Sequence, residues 1–215
     1  RQSVQVHALP FPAETARGTI MDQKNPLVAR YDVEAIRREF PILSREVHGK
    51  PLIYLDNGAS AQKPQSVIDA VTHAYSNEYA NVHRGLHFLS NAATDAYEKS
   101  RETVRRFLNA GSVDEIVFTK NATEAINTVA YGYGMPNIGE GDEILLSIME
   151  HHSNIVPWHF IRERQGAKLI FTPVDDEGIF HIEEFEKRLT ERTKLVAITH
   201  MSNALGTVTV SYTHL

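Results

Sequence analysis

Four continuous apolar runs constrain this chain most: Ile116-Val117-Phe118, Ile144-Leu145-Leu146, Leu169-Ile170-Phe171 and Leu195-Val196-Ala197-Ile198. Each has the length of a strand and none alternates with polar residues, so each is read as buried on both faces. A chain satisfies that demand with a mostly parallel sheet covered by helices on each side. The segments between the runs carry helical periodicity, as in Ile126, Val129, Ala130 and Tyr133. The fold class is therefore α/β, and its ligands are expected at the strand ends.

Ahead of these runs the pattern also alternates. Val33, Ile36, Arg37 and Phe40 suit a short amphipathic helix ended by Pro41. Leu52-Ile53-Tyr54-Leu55 reads as a strand leading into the turn Asp56-Asn57-Gly58. Pro64 opens a helix with the stripe Val67, Ile68, Val71, Ala74 and Tyr75, and a second long helix carries Ala93, Ala96, Tyr97, Val104, Phe107 and Leu108. Both stripes are read as core. Residues 1–28, with Pro10, Pro12 and Pro26 and no periodicity, are expected to be a flexible or non-native extension, Met21 being a natural start.

Composition removes several function classes. The net charge of −5, from 22 basic and 27 acidic residues, argues against a general electrostatic grip on nucleic acid or an anionic membrane. The 215 residues include no cysteine, which excludes disulfides, thiolate metal sites and a cysteine nucleophile among them. No apolar run approaches the roughly 20 residues that span a bilayer, and no signal-peptide core is evident, so a cytoplasmic location is expected.

Three motifs follow the apolar runs. Asn121-Ala122-Thr123-Glu124 opens a helix, with Asn121 as cap and Glu124 reaching back in a near capping box. Its free N–H groups and the Thr123 hydroxyl suit a phosphate, although a well-capped helix would look the same. Glu150-His151-His152 ends a strand before a helix led by Asn154. Adjacent histidines on extended chain point in opposite directions, so they do not share one metal ion. Ser202-Asn203 lies beyond the run from Leu195 to His200 and could form a simple turn.

Two further segments precede the runs. Val82-His83-Arg84-Gly85-Leu86-His87 has histidines at i and i+4, but a zinc hydrolase would need Glu where Arg84 stands. Asp56-Asn57-Gly58-Ala59-Ser60 is a small-residue loop.

Together these motifs resemble the pyridoxal-phosphate (PLP) cysteine desulfurases of fold type I, within aminotransferase class V. The match is to the group II, SUF-type branch that includes selenocysteine lyases. The resemblance covers residues 29–208 and implies the N-terminal segment plus most of a PLP-binding large domain. That domain has a mostly parallel, seven-stranded-type sheet, here incomplete. It implies that Ala122 and Thr123 hold the cofactor phosphate, although many relatives have Gly-Thr-Thr where this chain has Asn121-Ala122-Thr123. His151 would stack on the cofactor ring and move protons, and Asn203 would bond the ring's phenolic oxygen. His83 would lie near the substrate, Arg84 near its entrance and a partner subunit, and Ala59 in the substrate pocket.

The reaction implied is removal of sulfur from L-cysteine, giving L-alanine and an enzyme persulfide for iron–sulfur cluster assembly. A homodimer and a SUF-type sulfur-acceptor protein are the implied partners, with no nucleic acid or membrane. L-selenocysteine is the alternative substrate, a kynureninase-like hydrolase the alternative within class V, and a non-catalytic PLP-binding or interaction fragment the alternative of another kind. In the family the Asp facing the pyridine nitrogen, the His-Lys of the Schiff base and the nucleophilic cysteine follow later in sequence. The 215 residues alone are therefore expected to be inactive, and residues 209–215 are read as an artefactual tail.

Overall fold

In a computed structural model, residues 31–209 are described. The extension expected over residues 1–28, and all of the tail expected over residues 209–215 except Thr209, lie outside the described residues. Within them the chain divides into two compact units, residues 31–116 and residues 117–209.

The first unit is helical. Asp32 caps α1 (Val33–Arg38) by accepting from the Ala35 N–H at 2.9 Å, and Pro41 starts a single 3-10 turn, as a residue that cannot continue the helix should. A two-residue hairpin pairs β1 (Glu46–Val47) with β2 (Lys50–Pro51) through His48 and Gly49, both left-handed at φ 53° and 72°. Then come α2 (Gln65–His73), which passes into a π turn over Ala74–Glu78, and α3 (Phe88–Leu108), which ends on left-handed Asn109.

Two expectations fail here. Leu52-Ile53-Tyr54-Leu55 forms no strand, with Ile53 79% and Leu55 91% exposed. An apolar run takes strand form only when a neighbouring backbone completes its ladder, and no described strand runs beside it. The stripes of α2 and α3 are not core either, since Val67, Ile68 and Val71 of the first and Ala96, Phe107 and Leu108 of the second are exposed, and none of the six α3 stripe residues is buried. Helical spacing shows that a face is apolar without supplying what covers it.

The second unit is a three-layer α/β sandwich. α4 (Ala122–Val129) runs through a π turn over Ala130–Gly134 into α5 (Met135–Asn137). There follow β3 (Glu143–Ser147), α6 (Val156–Gln165), β4 (Lys168–Thr172), α7 (Ile182–Glu186) and β5 (Thr193–Ala197). The sheet order is β4-β3-β5 and all pairs are parallel, with Leu145 opposite Ile170 on one side and Val196 on the other.

The central strand explains the apolar runs. Ile144 and Leu146 pack with Ala130, Ile138, Trp158 and Ile161 beneath α4, α5 and α6, while Leu145 packs with Phe180 and Phe185 on the α7 face. Ile144, Leu145 and Leu146 are fully buried, each contributing about 1.5–3 kcal/mol relative to exposure. Ile116-Val117-Phe118, expected as a fourth strand, stays outside the sheet with Val117 exposed; three residues gain little from strand geometry without ladder partners.

Candidate functional site

The carboxyl ends of β3 and β5 meet at one buried acid. Glu150 accepts from the Ser147 hydroxyl at 2.5 Å, from Asn154 Nδ2 at 2.8 Å, and from the Thr199 N–H at 2.9 and 3.0 Å on its two oxygens. Only 8% of Glu150 is exposed and no described cation pairs with it. Three donors therefore replace its hydration, which an ionised carboxylate can satisfy because it only accepts. Asn154 completes the brace, donating also to the Ala197 carbonyl at 3.1 Å and accepting from the Trp158 indole at 3.0 Å.

The next residue, His151, is extended and exposed. Its Nδ1 accepts from the Ser153 N–H at 3.1 Å and lies 2.8 Å from the Ser153 hydroxyl. In the neutral ring the proton therefore sits on Nε2. His152 starts a 3-10 turn over His152–Asn154, so α6 begins at Val156, later than the start at Asn154 expected from sequence. The two imidazoles lie 6.0 Å apart between centroids, and no group of three metal-ligating side chains occurs among the described residues.

That 3-10 turn packs against α4. Asn121 Oδ1 accepts from the Glu124 N–H at 2.9 Å. Glu124 in turn accepts from the Lys120 N–H at 2.6 Å, one residue earlier than a capping box would place it. The N–H groups of Ala122 and Thr123 have no acceptor within the helix, as first-turn groups do not, and both residues are exposed. This donor set fits an anion such as a phosphate monoester.

Asn203 lies exposed on the loop after β5. The loop is closed by the Met201–Val208 bridge, by the Ser202 N–H donating to the Thr207 carbonyl at 2.9 Å, and by Ser202 Oγ accepting from the Ala204 and Leu205 N–H groups at 3.3 and 3.2 Å. Thr207 Oγ1 donates to the Gly178 carbonyl at 2.7 Å, and buried Thr209 donates to the Thr199 carbonyl at 2.5 Å.

His83, Arg84 and Ala59 belong to the first unit. His83 and Arg84 sit on a loop, not a helix, folded back on the head of α3. Ser90, fully buried, donates to the Asn81 carbonyl at 2.6 Å and accepts from the Gly85 N–H at 3.0 Å. A Cβ on Gly85 would lie 2.5 Å from the Ser90 Cβ, so the loop's glycine is a steric requirement. His83 is left-handed at φ 63°, its N–H donating to Thr94 Oγ1 at 3.0 Å and its Nε2 2.9 Å from Glu98 Oε1. Ala59 is exposed in the turn after Asp56, where its N–H donates to the Asp56 carbonyl at 3.2 Å.

Sequence reading missed the roles of Glu150, Asn154 and Glu98. Glu150 and Asn154 offered a signal, two polar residues four apart shortly after the apolar run Ile144-Leu145-Leu146. Glu98, fifteen residues from His83 within a helix rich in charge, offered none.

Residues 53–211 match the model of the family described as aminotransferase class-V. A cysteine desulfurase of Synechococcus elongatus is 51% identical over 179 residues, which are 83% of this chain and 29% of that protein. The apo structure of a cysteine desulfurase from Thermococcus onnurineus superposes with a TM-score of 0.74 at 43% identity, covering 82% of this chain and 42% of that one. One from Escherichia coli superposes at 0.70 and 34% identity, covering 84% and 44%. The chain thus spans less than half the length of each of these relatives.

Proposed function

The chain belongs to the aminotransferase class-V family, and from that premise we propose that it supplies the phosphate- and ring-binding part of the PLP site of a cysteine desulfurase. One observation carries the reading: α4, whose first turn has open N–H donors, packs against the 3-10 turn that directly follows His151, at a strand end fixed by the Glu150 brace. Relatives at about half identity that are cysteine desulfurases support it.

In this reading Ala122 and Thr123 bind the phosphate through their N–H groups and the Thr123 hydroxyl, helped by the positive end of α4. His151, with Nδ1 held by Ser153, presents its flat ring to the cofactor and can hold a proton on Nε2. Asn203 donates to the cofactor's phenolic oxygen, and His83, Arg84 and Ala59 serve the substrate side. The cofactor supplies an electron sink for negative charge at the substrate carbon. The SUF-type acceptor and the homodimer belong to the same proposal and rest on the sequence resemblance, while a cytoplasmic location is the default expectation from hydropathy.

The test compares L-cysteine, L-selenocysteine and L-kynurenine as substrates of the complete, PLP-loaded chain. Alanine from L-cysteine is expected, with sulfide released when an added dithiol reduces the enzyme persulfide. Alanine from L-selenocysteine or L-kynurenine with none from L-cysteine would overturn the assignment.

A further inference from the structure

We propose that Glu98 is a positioning residue that sets the tautomer of His83, leaving Nδ1 as the ring nitrogen offered to a ligand. The inference rests on the reading of His83 as a substrate-side histidine. An ionised carboxylate has no proton to give, so the 2.9 Å contact between His83 Nε2 and Glu98 Oε1 requires the proton on Nε2. In the neutral ring Nδ1 then keeps its lone pair and is the atom that can accept a proton or a hydrogen bond.

Three features make this a device and not a passing surface pair. His83 adopts a left-handed backbone, costly for a residue with a Cβ, and its N–H is held by Thr94 of α3. Glu98 lies one turn after Thr94 on the same helix, so the two contacts grip the backbone and ring of His83 from one rigid face. The other oxygen of Glu98 faces Arg101 Nε at 3.6 Å. Arg101 is fixed in turn: it donates to the Tyr97 hydroxyl at 2.6 Å and to the Ile116 carbonyl, and its guanidinium lies 5.0 Å over the Tyr97 ring. Tyr97 also meets the His83 ring edge-on at 6.0 Å.

The pair is substantially exposed, with 54% of the His83 side chain and 42% of the Glu98 side chain accessible. Exposed pairs add little stability, so the chain gains orientation and not folding energy from it. An accessible ring with one nitrogen occupied and the other open is the state required of a histidine that must meet a substrate.

The experiment uses the complete chain with PLP bound and nitrogen-15-labelled histidine, His83 being assigned from a His83→Gln variant. Side-chain nitrogen shifts without substrate are expected to show His83 protonated on Nε2. Glu98→Ala, a change favourable to the helix, is expected to give a tautomer mixture and to lower kcat with L-cysteine by on the order of 10- to 100-fold. Glu98→Gln, whose carbonyl can still accept from Nε2, is expected to retain the tautomer and much of the activity. A wild-type proton on Nδ1, or an unchanged tautomer in Glu98→Ala, would overturn the proposal. Because the shifts are read without turnover, they decide the role of Glu98 even if desulfuration, and with it the functional reading, fails.

Discussion

The backbone N–H of Thr199 donates to both carboxylate oxygens of Glu150, at 2.9 and 3.0 Å, and so joins the segment after β5 to the loop that follows β3. Two strands that pair in parallel have no short connection, and their ends separate unless something ties them. Here the tie is a buried acid adjacent to His151 in sequence. Glu150→Ala removes both acceptor oxygens and leaves the Ser147, Asn154 and Thr199 donors unmatched. A loss of about 1–3 kcal/mol is expected for a buried group deprived of its partner. Amide hydrogen exchange reads it directly: Thr199 should lose protection first, and unchanged protection would count against the brace.

His151 acts on the cofactor in this account and lies exposed at the strand end. His151→Ala in the complete enzyme should lower turnover by on the order of 10²–10⁴-fold while the thermal unfolding midpoint scarcely moves. His152→Ala is the control. Equal losses in the two variants would remove the distinction on which the assignment depends.

Thr123→Val keeps the shape of the side chain and removes its hydroxyl. Losing one charge-assisted hydrogen bond of about 1.5–2 kcal/mol should weaken retention of PLP by roughly 10- to 30-fold. Binding of pyridoxal, which has no phosphate, should be unchanged. A matching loss for pyridoxal would place Thr123 elsewhere in the site.

Gly85→Ala puts a methyl group 2.5 Å from the Ser90 Cβ, and the Ser90 hydroxyl holds the loop backbone at Gly85 and Asn81. Overpacking of this kind costs about 1–3 kcal/mol. A shift of the urea midpoint at constant slope would measure it, and no shift would show that the loop can move away.

Acid should act on two helix-surface clusters. Hydrogen bonds from Arg105 and then Arg106 lower the Glu102 carboxyl from its ordinary 4.5 to about 2, and those from Lys187 and Arg188 do the same for Glu184. A carboxyl with a lowered folded value stabilises the fold at pH above about 4.5, and that contribution disappears as pH falls through about 2. Glu102→Gln and Glu184→Gln should therefore flatten the loss of stability across this window, most visibly at low salt since exposed charges are screened. Parallel acid-unfolding curves for wild type and variants would contradict the prediction.

How much of this was legible in the sequence differs between the two units. The runs at Ile144, Leu169 and Leu195 became strands because each finds a parallel neighbour, but burial on both faces holds only for the central run, since β4 and β5 are edge strands with Phe171 exposed. Leu52–Leu55 and Ile116–Phe118 look the same in sequence, yet strand form depends on a partner backbone that no local pattern encodes. The cap at Asn121 and the stop at Pro41 were readable because they depend on neighbours within four residues. The Glu150–Thr199 tie spans 49 residues and the Glu98–His83 contact 15, distances at which only the folded chain brings the groups together.

A structure of the complete chain with PLP bound tests the central claim most directly. The account predicts the phosphate against the N–H groups of Ala122 and Thr123, the pyridine ring facing His151, and Asn203 within hydrogen-bond distance of the phenolic oxygen. A cofactor phosphate bound away from the head of α4 would contradict it.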